Sequence, residues 1–207
     1  MMLKDFGGRV ASVWEGLRPA TRHLVESALR SPRSGGAATM RGAGGAPYDA
    51  RSEWELSRLL SALDERTREA GAHDLSAEQT CELSHLAETC ALMLQGEARS
   101  AEVFGQLLER TLRSRDFKHI DTLADTISAR LAPGEMCELA RHASPSVRAI
   151  AHEALAQVPT GVLVELLGDP VDAEIARVAL ESQADEYDSP EARWIVNALD
   201  RADEDEA

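Results

Sequence analysis

"SPSVRAIAHEALAQV", residues 144–158, decides how this chain is read, because its apolar spacing points to a fold while its His152-Glu153 pair raises a question of chemistry. Val147, Ile150, Ala151, Ala154 and Val158 fall at i, i+3, i+4, i+7 and i+11, which is one stripe of an amphipathic helix. Ser144-Pro145 precedes the stripe. A serine side chain can cap the first free N–H groups, and a proline at the first helical position gives up no helix hydrogen bond. With Val147 at 0° on a helical wheel, at about 100° per residue, the stripe centres near ~10°, His152 falls near ~140° and Glu153 near ~240°. Both are therefore expected to face away from the packed side.

The same template occurs 27 residues earlier, at Ile120, Leu123, Ala124, Ile127 and Leu131. Partial copies follow at Val171, Ile175, Val178 and Ser182 and at Ala192, Ile195, Val196 and Leu199, at offsets of 24 and 21 residues. "DPVD" at 169 and "SPEA" at 189 repeat the arrangement of capping residue before proline. Shorter apolar segments lie between, "PGEMCELARH" (133–142) and "TGVLVELLG" (160–168), the latter ending at a glycine suited to a helix C-terminus. Alternation of long and short helices is the order of an α-solenoid.

These residues carry a resemblance. "SPSVRAIAHEALAQV" resembles the first-helix pattern of HEAT and HEAT-like repeats, in which Asp/Ser-Pro is followed by Val-Arg and then by spaced alanines and leucine. "DPVDAEIARVALESQ" departs from it, with Asp172-Ala173 where Val-Arg would stand. The resemblance covers residues 116–202 and implies an all-α, irregular α-solenoid that binds other macromolecules along its surface.

Upstream, residues 8–30 carry Val10, Val13, Trp14 and Leu17, then Leu24, Val25 and Leu29, with Pro19 between: two short helices or one broken helix. "SPRSGGAATMRGAGGAP" (31–47) has too few large apolar groups to offset its ordering entropy and reads as a flexible linker. "SEWE" (52–55) has the form of a capping box opening a helix with Trp54, Leu56, Leu59, Leu60 and Leu63 toward a core. "SAEQ" (76–79) repeats the device ahead of Leu83, Leu86, Ala87, Cys90 and Leu94, and a third helix over about 99–114 brings Val103, Phe104, Leu107, Leu108 and Leu112. The expected organisation is a basic helical arm (1–30), a Gly/Ser/Pro-rich linker (31–51), helices over 52–115, HEAT-like pairs over 116–202 and an acidic, frayed tail (203–207).

Charge and cysteine content narrow the function. The chain carries a net charge of −14, yet residues 1–51 hold eight basic and four acidic side chains (+4), which leaves −18 for the remainder. An acidic body repels phosphate backbones and favours a partner with a basic surface, so a protein partner is expected rather than nucleic acid or a small molecule. Three cysteines without a CxxC suit a reducing, cytoplasmic compartment. The sequence has no apolar run of bilayer-spanning length and no secretory signal, although an Arg-rich start is also a trait of organelle transit peptides.

Candidate chemistry is incomplete throughout. HEAT-like hydroxylases bind a di-iron centre through repeated His-Glu pairs that directly follow Val-Arg. Here there is one pair, and Ala149-Ile150-Ala151 intervenes. "CELSHLAETC" (81–90) places Cys81 and His85 one helical turn apart and contains Glu82-x-x-His85, an element that di-iron bundles use twice and this chain once. Cys81, Cys90 and Cys137 are expected as small buried apolar residues. His23, His73, His119 and His142 are scattered. HEAT-like DNA glycosylases use a basic, aromatic-lined surface that an acidic chain with 4% aromatics does not offer. Trp194 lies almost opposite its helix's stripe, either as an exposed interface anchor or packed on an adjacent helix or the terminal segment. The sequence thus leads to a non-catalytic interaction module, an adaptor, scaffold or regulatory subunit, with no cofactor, metal or catalytic residue and with Trp194, Arg148, His152 and Glu153 as partner-binding candidates. The competing expectation is a metal-dependent HEAT-like enzyme or lyase.

Overall fold

The computed structural model describes residues 6–30, 49–69 and 75–206, which form eleven helices and no strand, as an all-α chain should. The linker expectation falls mainly on residues 31–48 and, with His73, lies outside the described residues. The chain divides into two units, Met1–Ala98 and Arg99–Ala207. Among the described residues no helix is long and apolar enough to cross a membrane.

The first unit holds α1 (Gly8–Gly16), α2 (Pro19–Arg30), α3 (Ala50–Glu69) and α4 (Ala77–Glu97). Gly7 caps α1 at φ 108°, a left-handed conformation that only glycine adopts without strain. Pro19 breaks the arm into two helices by opening α2, its fixed φ suiting a first helical residue. The longest elements, α3 and α4, pack against each other, with α1 against α3 and α2 against both. Leu59, Leu60 and Leu63 of α3 and Leu83, Leu86 and Cys90 of α4 are wholly buried between them, as their spacing requires.

Two local expectations in this unit change. The capping box at 76–79 is formed in full: Ser76 Oγ accepts from the Gln79 N–H at 3.1 Å, and Gln79 Oε1 from the Ser76 N–H at 2.8 Å. The one expected at 52–55 is not. Asp49, accepting from the Arg51 N–H at 3.1 Å and the Ser52 hydroxyl at 2.8 Å, starts α3 three residues earlier. Ser52 and Glu55 are then inside the helix, buried, and turned toward α2. Trp54 likewise stays 50% exposed instead of entering the core, with the Arg58 guanidinium 4.7 Å from its ring centroid.

The second unit holds α5 (Ala101–Ser114), α6 (Phe117–Arg130), α7 (Pro133–Ala140), α8 (Pro145–Ala156), α9 (Thr160–Leu166), α10 (Ala173–Asp185) and α11 (Pro190–Glu206). The acidic end expected to fray continues α11 through Glu206. Its centre is α8, which packs against α5, α6, α7 and α10. Val147, Ala151 and Leu155 are fully buried there with Leu123 and Ile127 of α6 and Cys137 of α7. Alanine dominates α8 because the helix has neighbours on more than one side, and small side chains allow their backbones to approach. Gly105 of α5 serves the same end. A β-carbon there would come within 3.0 Å of the His142 ring.

Proline opens α8 and α11 as the sequence suggests, but not α10. Asp169 accepts the Val171 N–H on its side chain at 2.9 Å, while its carbonyl takes the Asp172 and Ala173 N–H groups at 3.0 and 2.8 Å. Pro170 therefore sits in a turn, and the helix starts at Ala173. The buried face shifts accordingly: Ala176, Ala179, Leu180, Gln183 and Ala184 are buried, whereas Val171 is 66% exposed and Ile175, Val178 and Ser182 are half-buried. Of the three expected serine or aspartate caps, only Ser189 bonds its own first turn, its Oγ accepting the Ala192 N–H at 3.3 Å.

The corners of this unit are closed by long donors that reach acceptors at helix ends and in the turns between helices. Arg141 Nη1 reaches the Val171 carbonyl at 3.1 Å and Asp172 Oδ1 at 2.8 Å. Arg148 Nη1 donates to the His142 and Ala143 carbonyls at 2.9 and 3.0 Å. Arg193 Nη2 reaches the Ala184 carbonyl at 2.8 Å. Glu135 of α7 supplies the opposite service, accepting the Ala101 N–H at the start of α5 at 2.7 Å, where a negative charge also meets the positive end of the helix dipole.

Candidate functional site

Of the four residues expected to meet a partner, three lie on α8 and one on α11. Arg148 and His152 are one turn apart. The Arg148 guanidinium is committed to the α7–α8 corner described above, and it holds that turn in place rather than standing free. His152 is half-buried, not outward-facing, and its Nδ1 is sealed from solvent without a hydrogen-bond partner. The wheel went wrong because it assumed one buried stripe, whereas α8 is covered from several sides. Glu153 does face solvent and accepts a hydrogen bond from the Tyr187 hydroxyl, from the corner between α10 and α11. That bond, first, and desolvation hold the Tyr187 hydroxyl above its ordinary pKa, so it remains a proton donor to the carboxylate.

Burial, and then the neighbouring Arg148 charge, hold the imidazole of His152 below its ordinary pKa of 6.5. The sign of its effect on stability follows. Above pH 6.5 His152 is neutral folded and unfolded, and contributes no penalty. As pH falls, the unfolded chain takes the proton first, so stability is lost progressively down through the lower folded pKa. A His152→Phe variant should therefore show a shallower loss of stability than the parent between pH 7 and 5 in urea unfolding. Parallel profiles would assign the slope to other groups.

Trp194 is 72% exposed on α11. Ala192 is the buried residue of that helix; Ile195, Val196 and Leu199 are half-covered by α10. The structure brings Arg148 beside His152 and Glu153 beside Tyr187, and it places Trp194 one turn into α11 from that corner. Tyr187 escaped the sequence reading because it stands between two helices, where no periodicity marks it. Its exposure is 47%.

Elsewhere, candidate chemistry disperses. Cys81 is exposed, against expectation, while Cys90 and Cys137 are buried. Burial, with the nearby Asp172 charge, pushes the Cys137 thiol up to about 11, far from a reactive thiolate. Among the described residues, no group of three or more His, Cys, Asp or Glu side chains is arranged to hold a metal ion. In the first unit a cleft of about 130 Å³ lies between Gly7-Gly8 and the last turns of α3, with an Arg9–Glu65 ion pair beside it. Its size is well below the ~300 Å³ at which small-molecule sites begin.

Comparison of the chain with protein-family models, with curated proteins and with solved structures gave no match in any of the three.

Proposed function

We propose that this chain is a cytoplasmic protein-interaction module, an adaptor, scaffold or regulatory subunit without catalysis of its own, whose C-terminal unit stacks HEAT-like helix pairs. The observation that carries the reading is Trp194. A tryptophan 72% exposed on an ordered helix leaves a large apolar surface in water, a cost that binding removes. Alternation of helices of 14, 8, 12, 7 and 13 residues from α6 to α10 supports the repeat reading, as does the closure of successive corners by arginine. The acidic balance supports a partner with a basic surface over nucleic acid.

The test is affinity capture on the immobilised full-length chain and on a Trp194→Ala variant. A protein recovered stoichiometrically by the parent should be depleted at least about tenfold by the variant, as for loss of an interface anchor. The variant's urea midpoint should shift by less than the equivalent of about 0.5 kcal/mol, because the side chain packs on little. Equal capture by both proteins would remove Trp194, and with it this reading.

A further inference from the structure

Two tryptophans of this chain stand in water, and their surroundings differ. Trp54, 50% exposed, already carries a cation: Arg58, four residues on, lies over its ring at 4.7 Å. Trp194 has Ala198 at the same helical offset and Asn197 at i+3, with Pro190 and Glu191 one turn before, all four exposed. Among the described residues no cation lies over this ring, and Arg201 stands two turns further along the same helix. The nearest arginine in sequence, Arg193, is bound to the Ala184 carbonyl at 2.8 Å and to Asp188 at 2.7 Å.

Carboxylates gather at the start of this helix. Asp185, Glu186, Asp188 and Glu191 are all exposed at the α10–α11 corner that opens this helix. Residues 99–207 hold 22 acidic and 11 basic side chains, a net charge of −11. An aromatic face set in such a field attracts a guanidinium or ammonium group twice over, through the ring quadrupole and through the surrounding negative charge. It disfavours acidic partners and nucleic acid for the same reason.

We infer that the exposed face of α11 is a docking site for an arginine- or lysine-rich segment of another protein, in which one basic side chain stacks on Trp194 and its neighbours pair with Glu191 and the corner carboxylates. This inference rests on the interaction-module reading and adds the chemistry of the partner.

The experiment uses the full-length chain with Trp14→Phe and Trp54→Phe, so that emission reports Trp194 alone. The probes are three twelve-residue peptides of one sequence with two leucines and four variable positions, filled by arginine, by uncharged citrulline or by glutamate. The arginine peptide should change Trp194 emission saturably; the citrulline peptide should bind at least about fivefold more weakly, and the glutamate peptide not at all. With labelled peptide, Trp194→Leu in the natural chain should weaken binding at least about fivefold, and Glu191→Gln should reduce its salt dependence. Equal binding of the arginine and citrulline peptides overturns the inference, as does undiminished binding to Trp194→Leu, which would reduce it to diffuse attraction. A dimer in sedimentation velocity that Trp194→Leu disperses would name a second copy as the occupant and overturn it too. Failure here is separable from failure of the broader reading by photocrosslinking in cells from benzoylphenylalanine placed at position 194. A crosslink to a neutral or acidic segment of another protein removes only the inference, whereas no crosslink to any protein removes both.

Discussion

Gln183→Glu should destabilise the second unit by about 3 kcal/mol, although the two side chains have nearly the same shape. Gln183 is buried, and its Nε2 donates to the Ala156 carbonyl at 3.0 Å and to the Val158 carbonyl at 2.6 Å. Its Oε1 accepts from the Thr160 hydroxyl at 2.9 Å. Carbonyl oxygens only accept, so the amide has one workable orientation, and a single side chain of α10 satisfies the end of α8 and the start of α9. A carboxylate would turn an acceptor toward both carbonyls and bury a charge without a cation. Urea unfolding at pH 7 measures the loss. Part of it should return near pH 4, where the new carboxyl is protonated and can donate one of the two bonds. A loss under 1 kcal/mol would mean that this corner opens to water and that Gln183 does not tie it.

Glu55→Ala should destabilise the first unit by roughly 2–3 kcal/mol. The Glu55 carboxylate is 4% exposed on α3 and accepts from Arg18 Nε at 3.0 Å, from the Arg18 N–H at 3.3 Å and from the buried Thr21 hydroxyl. Arg18 also bonds Asp49 and, at 3.0 Å, the Ser52 hydroxyl. One arginine thus joins the break between α1 and α2 to the first turn of α3. Burial alone would raise the pKa of Glu55, but the bonds from Thr21 and Arg18 outweigh it and hold it below its ordinary 4.5. The bond to Arg18, chiefly, holds Asp49 down at about 2. Both carboxylates therefore add stability that is fully present above their unfolded pKa values, near 4, and is lost as pH falls through the lower folded ones. Acid unfolding of Glu55→Ala should accordingly be flatter below pH 4.5 than that of the parent. Identical acid limbs, or a destabilisation under 1 kcal/mol, would show that the network contributes little.

Both predictions concern residues whose importance the sequence does not announce. Gln183 has the composition of an ordinary surface glutamine, and its side-chain partners lie 23 to 27 residues away. Glu55 carries a misleading local signal, since Ser52 and Glu55 have capping-box spacing that Asp49, three residues upstream, overrides. His152 failed for a related reason. A wheel drawn from one stripe places a residue correctly only when the helix has one covered side, and α8, packed against four helices, has several.

The sequence by itself determined the all-α class, the break at Pro19, the box at 76–79, the prolines opening α8 and α11, and the apolar stripes of α3 and α4. Each depends on interactions within about one or two helical turns, where residue order dictates geometry. Only the tertiary structure decided the start of α10, the burial of His152 and Gln183, the outward turn of Trp54 and the commitment of Arg148 to a corner. Those depend on how many neighbours cover a helix and on which distant carbonyl lies within reach of a long side chain. For Arg141 the reach runs to Asp172, 31 residues on, a separation at which periodicity carries no information.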